Sequence, residues 1–170
     1  ENLEILEELG ARLRFFSPLR SQMPAADALY LGGGFPELHR FRPNRALREA
    51  VRSGVPTYAE CGGLMYLVGQ GLLPGRIEMT DRLHHFGYAE AVALRDTVLV
   101  RRGQRVRGHE YHQSRWTHPT VPAAWNVGDR REGYAGANVH ASYLHLHFGG
   151  ARECAVRFVQ SAARWGDRRP

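Results

Sequence analysis

Lysine is absent from this chain. All 23 basic residues are arginine, against 17 acidic ones, giving a formal net charge of +6. Without lysine there is no GxxxxGK[ST] phosphate loop and no side-chain amine for a Schiff base. The sequence therefore excludes an ordinary P-loop nucleotide hydrolase and lysine-based covalent catalysis. Long apolar runs are missing as well, and no charged-then-apolar leader opens the chain, so neither a membrane span nor a secretory signal is expected and the location is read as cytoplasmic. Cysteine is scarce: Cys61 and Cys154 stand in contexts too different to argue a disulfide, and both are expected reduced. The arginines are scattered without interleaved aromatics, so a nucleic-acid partner is not expected.

What is present fits one globular domain over residues 1–170, 43% hydrophobic and large enough to bury a core. Leu3, Leu6 and Leu9 mark an opening helix that Gly10 stops. Arg12–Phe16 alternates like a strand, and Asp27–Leu31 is a second strand delivered into Gly32-Gly33-Gly34. Pro43–Ser53 reads as a helix with proline in its first turn and Gly54 past its end, followed by a strand from Val55 to Ala59. Strand and helix alternating in this way predict an α/β fold with a mostly parallel sheet flanked by helices. Further on, the segments from Gly87 to Leu94, Thr97 to Val100 and Arg105 to Tyr111 read as added antiparallel strands. Another strand lies within Tyr134–Phe148, and Ala151–Trp165 closes as an amphipathic helix in which Cys154 is a core residue.

Cys61 sits where the apolar strand meets Gly62-Gly63 and a new helix. Such a turn aims the side chain outward, and the helix N-terminus beside it is expected to lower the thiol pKa and favour a nucleophile. The alternative is a buried cysteine acting as a small hydrophobe. Gly32-Gly33-Gly34 ends a neighbouring strand, so the Gly34 and Gly62 N–H groups form an oxyanion hole in outline. Nine histidines offer a base. His145 and His147 share one face of an extended segment at a strand end, where α/β sheets place reacting groups. In Gly108–Trp116, alternation puts Glu110 and His112 on one side as candidate ligand or pocket-orienting groups, with His109 and Tyr111 on the other.

Four segments, Leu31–Leu38, Ala59–Tyr66, Gly108–His112 and Asn138–Phe148, together resemble the glutaminase domain of the cobyrinate a,c-diamide synthase family, from Glu1 to about Arg164. The resemblance implies a class I glutamine amidotransferase-like, flavodoxin-like fold. It makes Cys61 the nucleophile and His145 its activating residue; Gly34 and Gly62 stay the expected oxyanion donors, and Gly33, Glu110, His112 and His147 the expected pocket residues. It also implies L-glutamine as substrate, no cofactor or metal in this domain, and a synthetase domain carrying Mg-ATP and a corrin-type polycarboxylate as partner. Where related triad enzymes carry a glutamate two positions after the histidine, this chain has His147, so the site looks like a Cys–His dyad. By the same resemblance the chain begins inside the domain, after a first strand, and lacks the synthetase half; an exposed sheet edge and a homodimer are expectations. The rivals are an amidotransferase of the cobyric acid or nickel tetrapyrrole pathway, a non-catalytic binding subunit, and a metal protein gathering Zn or Fe on His145, His147 and His109 or His112.

Overall fold

The computed structural model describes residues 1–18, 23–39, 42–118 and 120–168. In chain order the elements are α1 (Asn2–Glu8), β1 (Leu29–Leu31), a 3-10 turn (Pro36–Leu38), α2 (Arg45–Ser53), β2 (Thr57–Glu60), α3 (Gly62–Gly69), β3 (Arg76–Met79) and β4 (His85–Ala93). Then follow β5 (Arg105–His112), β6 (Ser114–Thr117), β7 (Trp125–Val127), β8 (Arg130–Glu132), β9 (Tyr134–Ala135), β10 (Val139–Ser142), β11 (His145–Leu146) and α4 (Arg152–Gly166). Among the described residues no helix is long and apolar enough to cross a membrane.

A four-stranded sheet runs β1-β2-β10-β9, with β2 parallel to both neighbours and β9 antiparallel to β10. Its central strand β2 is buried at every position, as a strand covered on both faces must be. Tyr58 packs into a core with Trp125, Phe148 and Phe158, whereas Ala59 packs into a second core with Leu47, Leu64 and Leu67. The expected antiparallel additions form a five-stranded sheet, β11-β5-β4-β7-β8, and a β3-β6 pair. Helix α2 starts at Arg45 rather than Pro43, because the Asn44 side chain accepts the Leu47 N–H at 3.0 Å and caps it, and Gly54 ends it at φ 105°. In α4, Cys154, Ala155, Phe158 and Ser161 form the buried stripe.

Two predicted strands are absent. Leu13 and Phe16 are half-buried while Arg12, Arg14 and Phe15 are exposed, and among the described residues the segment 12–16 has no ladder partner; a cavity of about 810 Å³ is lined both by this segment and by β1, the end strand of its sheet. Thr97–Val100 is buried but folds as a tight turn. The Thr97 hydroxyl accepts the Leu99 and Val100 N–H groups, giving the backbone a local alternative to a ladder.

Candidate active site

The end of β2 delivers Cys61 into a backbone conformation that side chains rarely adopt, φ 49° and ψ −105°; among the described residues it is the non-glycine with positive φ. Strain of this kind persists where the surroundings over-determine it. Here the Cys61 N–H donates to the Ser142 carbonyl at 2.8 Å, and α3 begins at the next residue. The elbow admits only glycine after it. A Cβ on Gly62 would lie 2.6 Å from the Gly34 oxygen and 2.8 Å from the Gly34 nitrogen, and one on Gly63 would lie 2.1 Å from the Leu31 oxygen. The Gly32–Gly34 loop and the first turn of α3 are thus in backbone contact. As the first helical residue, Gly62 has no acceptor for its N–H inside the helix. Among the described residues, neither the Gly34 nor the Gly62 N–H is committed to a backbone carbonyl.

The same glycine loop reaches the histidine. A Cβ on Gly33 would meet His145 Cε1 at 2.8 Å. Strand β11 pairs with β5 so that His145 lies opposite His109, and the two rings stack at 4.7 Å and 14°. His145 Nδ1 lies 3.9 Å from Oε1 of Glu60, the residue before Cys61. His147 is exposed and lies against His109 at 5.3 Å. Structure therefore brings Cys61, Gly62, Gly34, Gly33 and His145 into one chain of contacts and leaves His147 at its margin.

The thiol is not the low-pKa group that its place at a helix start predicts. Burial pushes Cys61 up to about 11, and the neighbouring Glu60, Glu37 and Glu110 charges add to this, while the Gly62 N–H only partly offsets it. Cys61 is 8% exposed, and its thiol donates to the Tyr111 carbonyl at 3.8 Å. Burial, and then the charges of His147 and His112, hold His145 below the ordinary histidine value. Both shifts favour a neutral thiol on Cys61 and a neutral imidazole on His145 at pH 7.

Glu110 and His112 face inward, as the alternation of β5 predicts, but each already has partners. Arg130 Nη2 donates to Glu110 Oε1, and His112 Nε2 lies 3.4 Å from Glu110 Oε2. His112 Nδ1 bonds the Ser114 carbonyl at 2.8 Å, and its ring lies flat on Tyr143 at 3.8 Å. Against the upward push of burial, the His112 hydrogen bond and then Arg130 hold the Glu110 carboxyl below the usual carboxylate range. These two residues brace the floor of the site. The face-to-face stack of His109 and His145 turns ring planes toward each other, not nitrogen lone pairs. Among the described residues no three His, Cys, Asp or Glu side chains converge as metal ligands.

Sequence reasoning passed over Glu60, whose place inside a buried strand gave no sign of a use. It also passed over Glu132, a buried carboxyl that accepts the Ser142 hydroxyl at 2.6 Å and the Tyr143 N–H at 2.7 Å and so fixes the link from β10 to β11.

Residues 1–153 match the CobB/CobQ-like glutamine amidotransferase domain. Proteins named cobyrinate a,c-diamide synthase are similar along most of the chain. That of Thermoplasma volcanium is 37% identical over 99% of this chain and 42% of its own length, and that of Gloeobacter violaceus 41% identical over 94% and 39%. The chain thus spans about two fifths of the length of these relatives. A solved glutamine amido transferase from Methylobacillus flagellatus shares the fold at a TM-score of 0.60 and 14% identity, covering 96% of this chain and 84% of that one. PurLQS from Thermotoga maritima does so at 0.57 and 16%, covering 81% and 79%. With the strained elbow, the glycine loop and the family match in agreement, this chain belongs to the CobB/CobQ-like glutamine amidotransferase domain family.

Proposed function

We propose that this chain is the glutaminase portion of a cobyrinate a,c-diamide synthase in cobalamin biosynthesis, releasing ammonia from glutamine at Cys61. His145 takes the thiol proton as sulfur attacks the side-chain amide carbon, which opens the C=O bond to an oxyanion. The Gly34 and Gly62 N–H groups receive that charge. Collapse expels the amine with the proton held by His145, leaving ammonia and a γ-glutamyl thioester. Water, deprotonated by His145, then frees glutamate and restores the thiol. Ammonia passes to the synthetase portion, where Mg-ATP activates the a and c carboxylates of a corrin-type acceptor; no residue of this chain is assigned to either.

The observation that carries this reading is the backbone contact of Gly62 with Gly34 at the foot of a strained cysteine, with His145 against the adjoining Gly33. The names of the relatives favour the a,c-diamide acceptor over the sister pathways. Exposed Tyr111, whose carbonyl accepts from the Cys61 thiol, and its exposed neighbours Phe86 and Tyr88 on β4 suit a partner's apolar surface. The test is glutamate release from glutamine by the chain joined to a synthetase portion. Cys61→Ser is expected to abolish it while the fold is retained, and retained hydrolysis removes Cys61 from the reaction.

A further inference from the structure

A carboxylate inside a fully buried parallel strand needs a reason, and Glu60 is 5% exposed. It is held from three sides: Tyr30 Oη donates to Oε1 at 2.5 Å, Tyr58 Oη donates to Oε2 at 2.6 Å, and the Leu146 N–H lies 3.4 Å from Oε2. Tyr30 and Tyr58 stack at 5.0 Å, and Asn2 donates to Tyr30 Oη at 3.2 Å, so the clamp is itself braced. Burial raises the Glu60 pKa above the usual carboxylate value, and the Tyr30 and Tyr58 hydroxyls, which favour the ionised form, offset that push only in part. The remaining side of Oε1 looks toward His145 Nδ1 at 3.9 Å.

We propose that Glu60 is the positioning residue of this site: its clamped carboxylate holds His145 as the Nδ1–H tautomer, leaves Nε2 to exchange the proton with Cys61, and supports the imidazolium formed during attack. This rests on the glutaminase reading. It places the third group on the strand before the nucleophile, whereas His147 occupies the position two residues beyond the base. The separation of 3.9 Å is that of an ion pair, and it closes when the ring gains its proton. Attraction therefore peaks as charge develops, which is when it lowers the barrier.

The first measurement needs no variant. In ¹⁵N-histidine NMR spectra of the whole chain, neutral His145 is expected to be protonated on Nδ1; a proton on Nε2 overturns the proposal. The second is Glu60→Gln, which keeps shape and one acceptor. The ionisation constant of the His145 imidazolium is expected to rise about tenfold, because an opposite charge within about 4–6 Å is removed. The other groups facing the ring, namely His109, His147, His112 and Glu110, are left in place, so an unchanged midpoint in the folded variant overturns the proposal. In glutamine hydrolysis, kcat is expected to fall about a hundredfold with KM unchanged, since a misheld imidazole impairs transfer and not binding. A rise confined to KM, or a loss confined to thermal stability, assigns Glu60 a purely structural role. Cys61→Ser, run alongside, separates the two levels: hydrolysis surviving there removes the glutaminase reading, whereas hydrolysis lost there but unchanged in Glu60→Gln removes Glu60 alone.

Discussion

Gly33→Ala isolates the placement of the base. Gly33 is exposed and its φ is not positive, so alanine is conformationally allowed and the backbone stays unstrained. The new methyl would lie 2.8 Å from His145 Cε1, with Nδ1 and Nε2 nearly equidistant at 3.7 and 3.8 Å. It therefore meets the ring edge-on at Cε1. Ordinary contact begins at 3.4 Å, so the ring must withdraw by about 0.6 Å along its own plane. Sliding over the parallel His109 ring offers that path, and it carries both nitrogens away from the glycine loop. A displacement of this size in a reacting group is expected to lower kcat by about 10- to 100-fold. Stability should change by less than about 1 kcal/mol, because no core contact is disturbed and alanine restricts the unfolded chain. Glutamate release measured beside urea unfolding reads both quantities. A stable variant that hydrolyses glutamine at the wild-type rate would show that the imidazole beside Gly33 is not the base.

Gly63→Ala should behave oppositely: its Cβ would strike the Leu31 carbonyl oxygen at 2.1 Å inside the core, and urea unfolding is expected to show a loss of about 1–3 kcal/mol or more. Glu132 has its pKa pushed up to about 7 by burial, so it is protonated in the folded chain and ionised in the unfolded one between about pH 4.5 and 7. The stability this provides is full below pH 4.5 and is lost as pH rises to 7; Glu132→Gln, which cannot ionise, should gain about 3 kcal/mol on wild type across that window. A stability difference that does not vary with pH refutes this. The lowered pKa of His145 places the acid limb of glutamine hydrolysis below pH 6.5, with activity lost only as pH falls through that lower midpoint; a limb at or above 6.5 contradicts the assignment.

The elements that local chemistry controls were legible in the residues. Apolar Val55–Ala59 running into Gly62-Gly63 identifies the elbow, because a turn that tight next to a buried strand tolerates no side chain. Alternation along β5 correctly turns Glu110 and His112 inward. What escaped depends on distant partners. The helix start at Cys61 predicts a lowered thiol pKa, but burial, which reading one segment cannot weigh, outweighs the Gly62 N–H and raises it. Residues 12–16 alternate as a strand does, yet a strand exists only when a neighbour supplies hydrogen bonds. Glu60 was invisible for the same reason, since Tyr30 and His145 reach it from other strands.

Cys61 and His145 are tied to one frame. Cys61 hangs from β10 through its bond to Ser142, and β10 runs within three residues into the strand that carries His145, with Glu132 locking the joint. The two backbones therefore share the central sheet, while the His145 ring keeps its own freedom between Gly33 and His109. The third limb is built differently. Gly32–Gly34 is an exposed loop that lines the 810 Å³ hollow together with Gly62 and Gly63 and touches His145 through Gly33, so a molecule seated in that hollow would press on the glycine loop from outside the sheet.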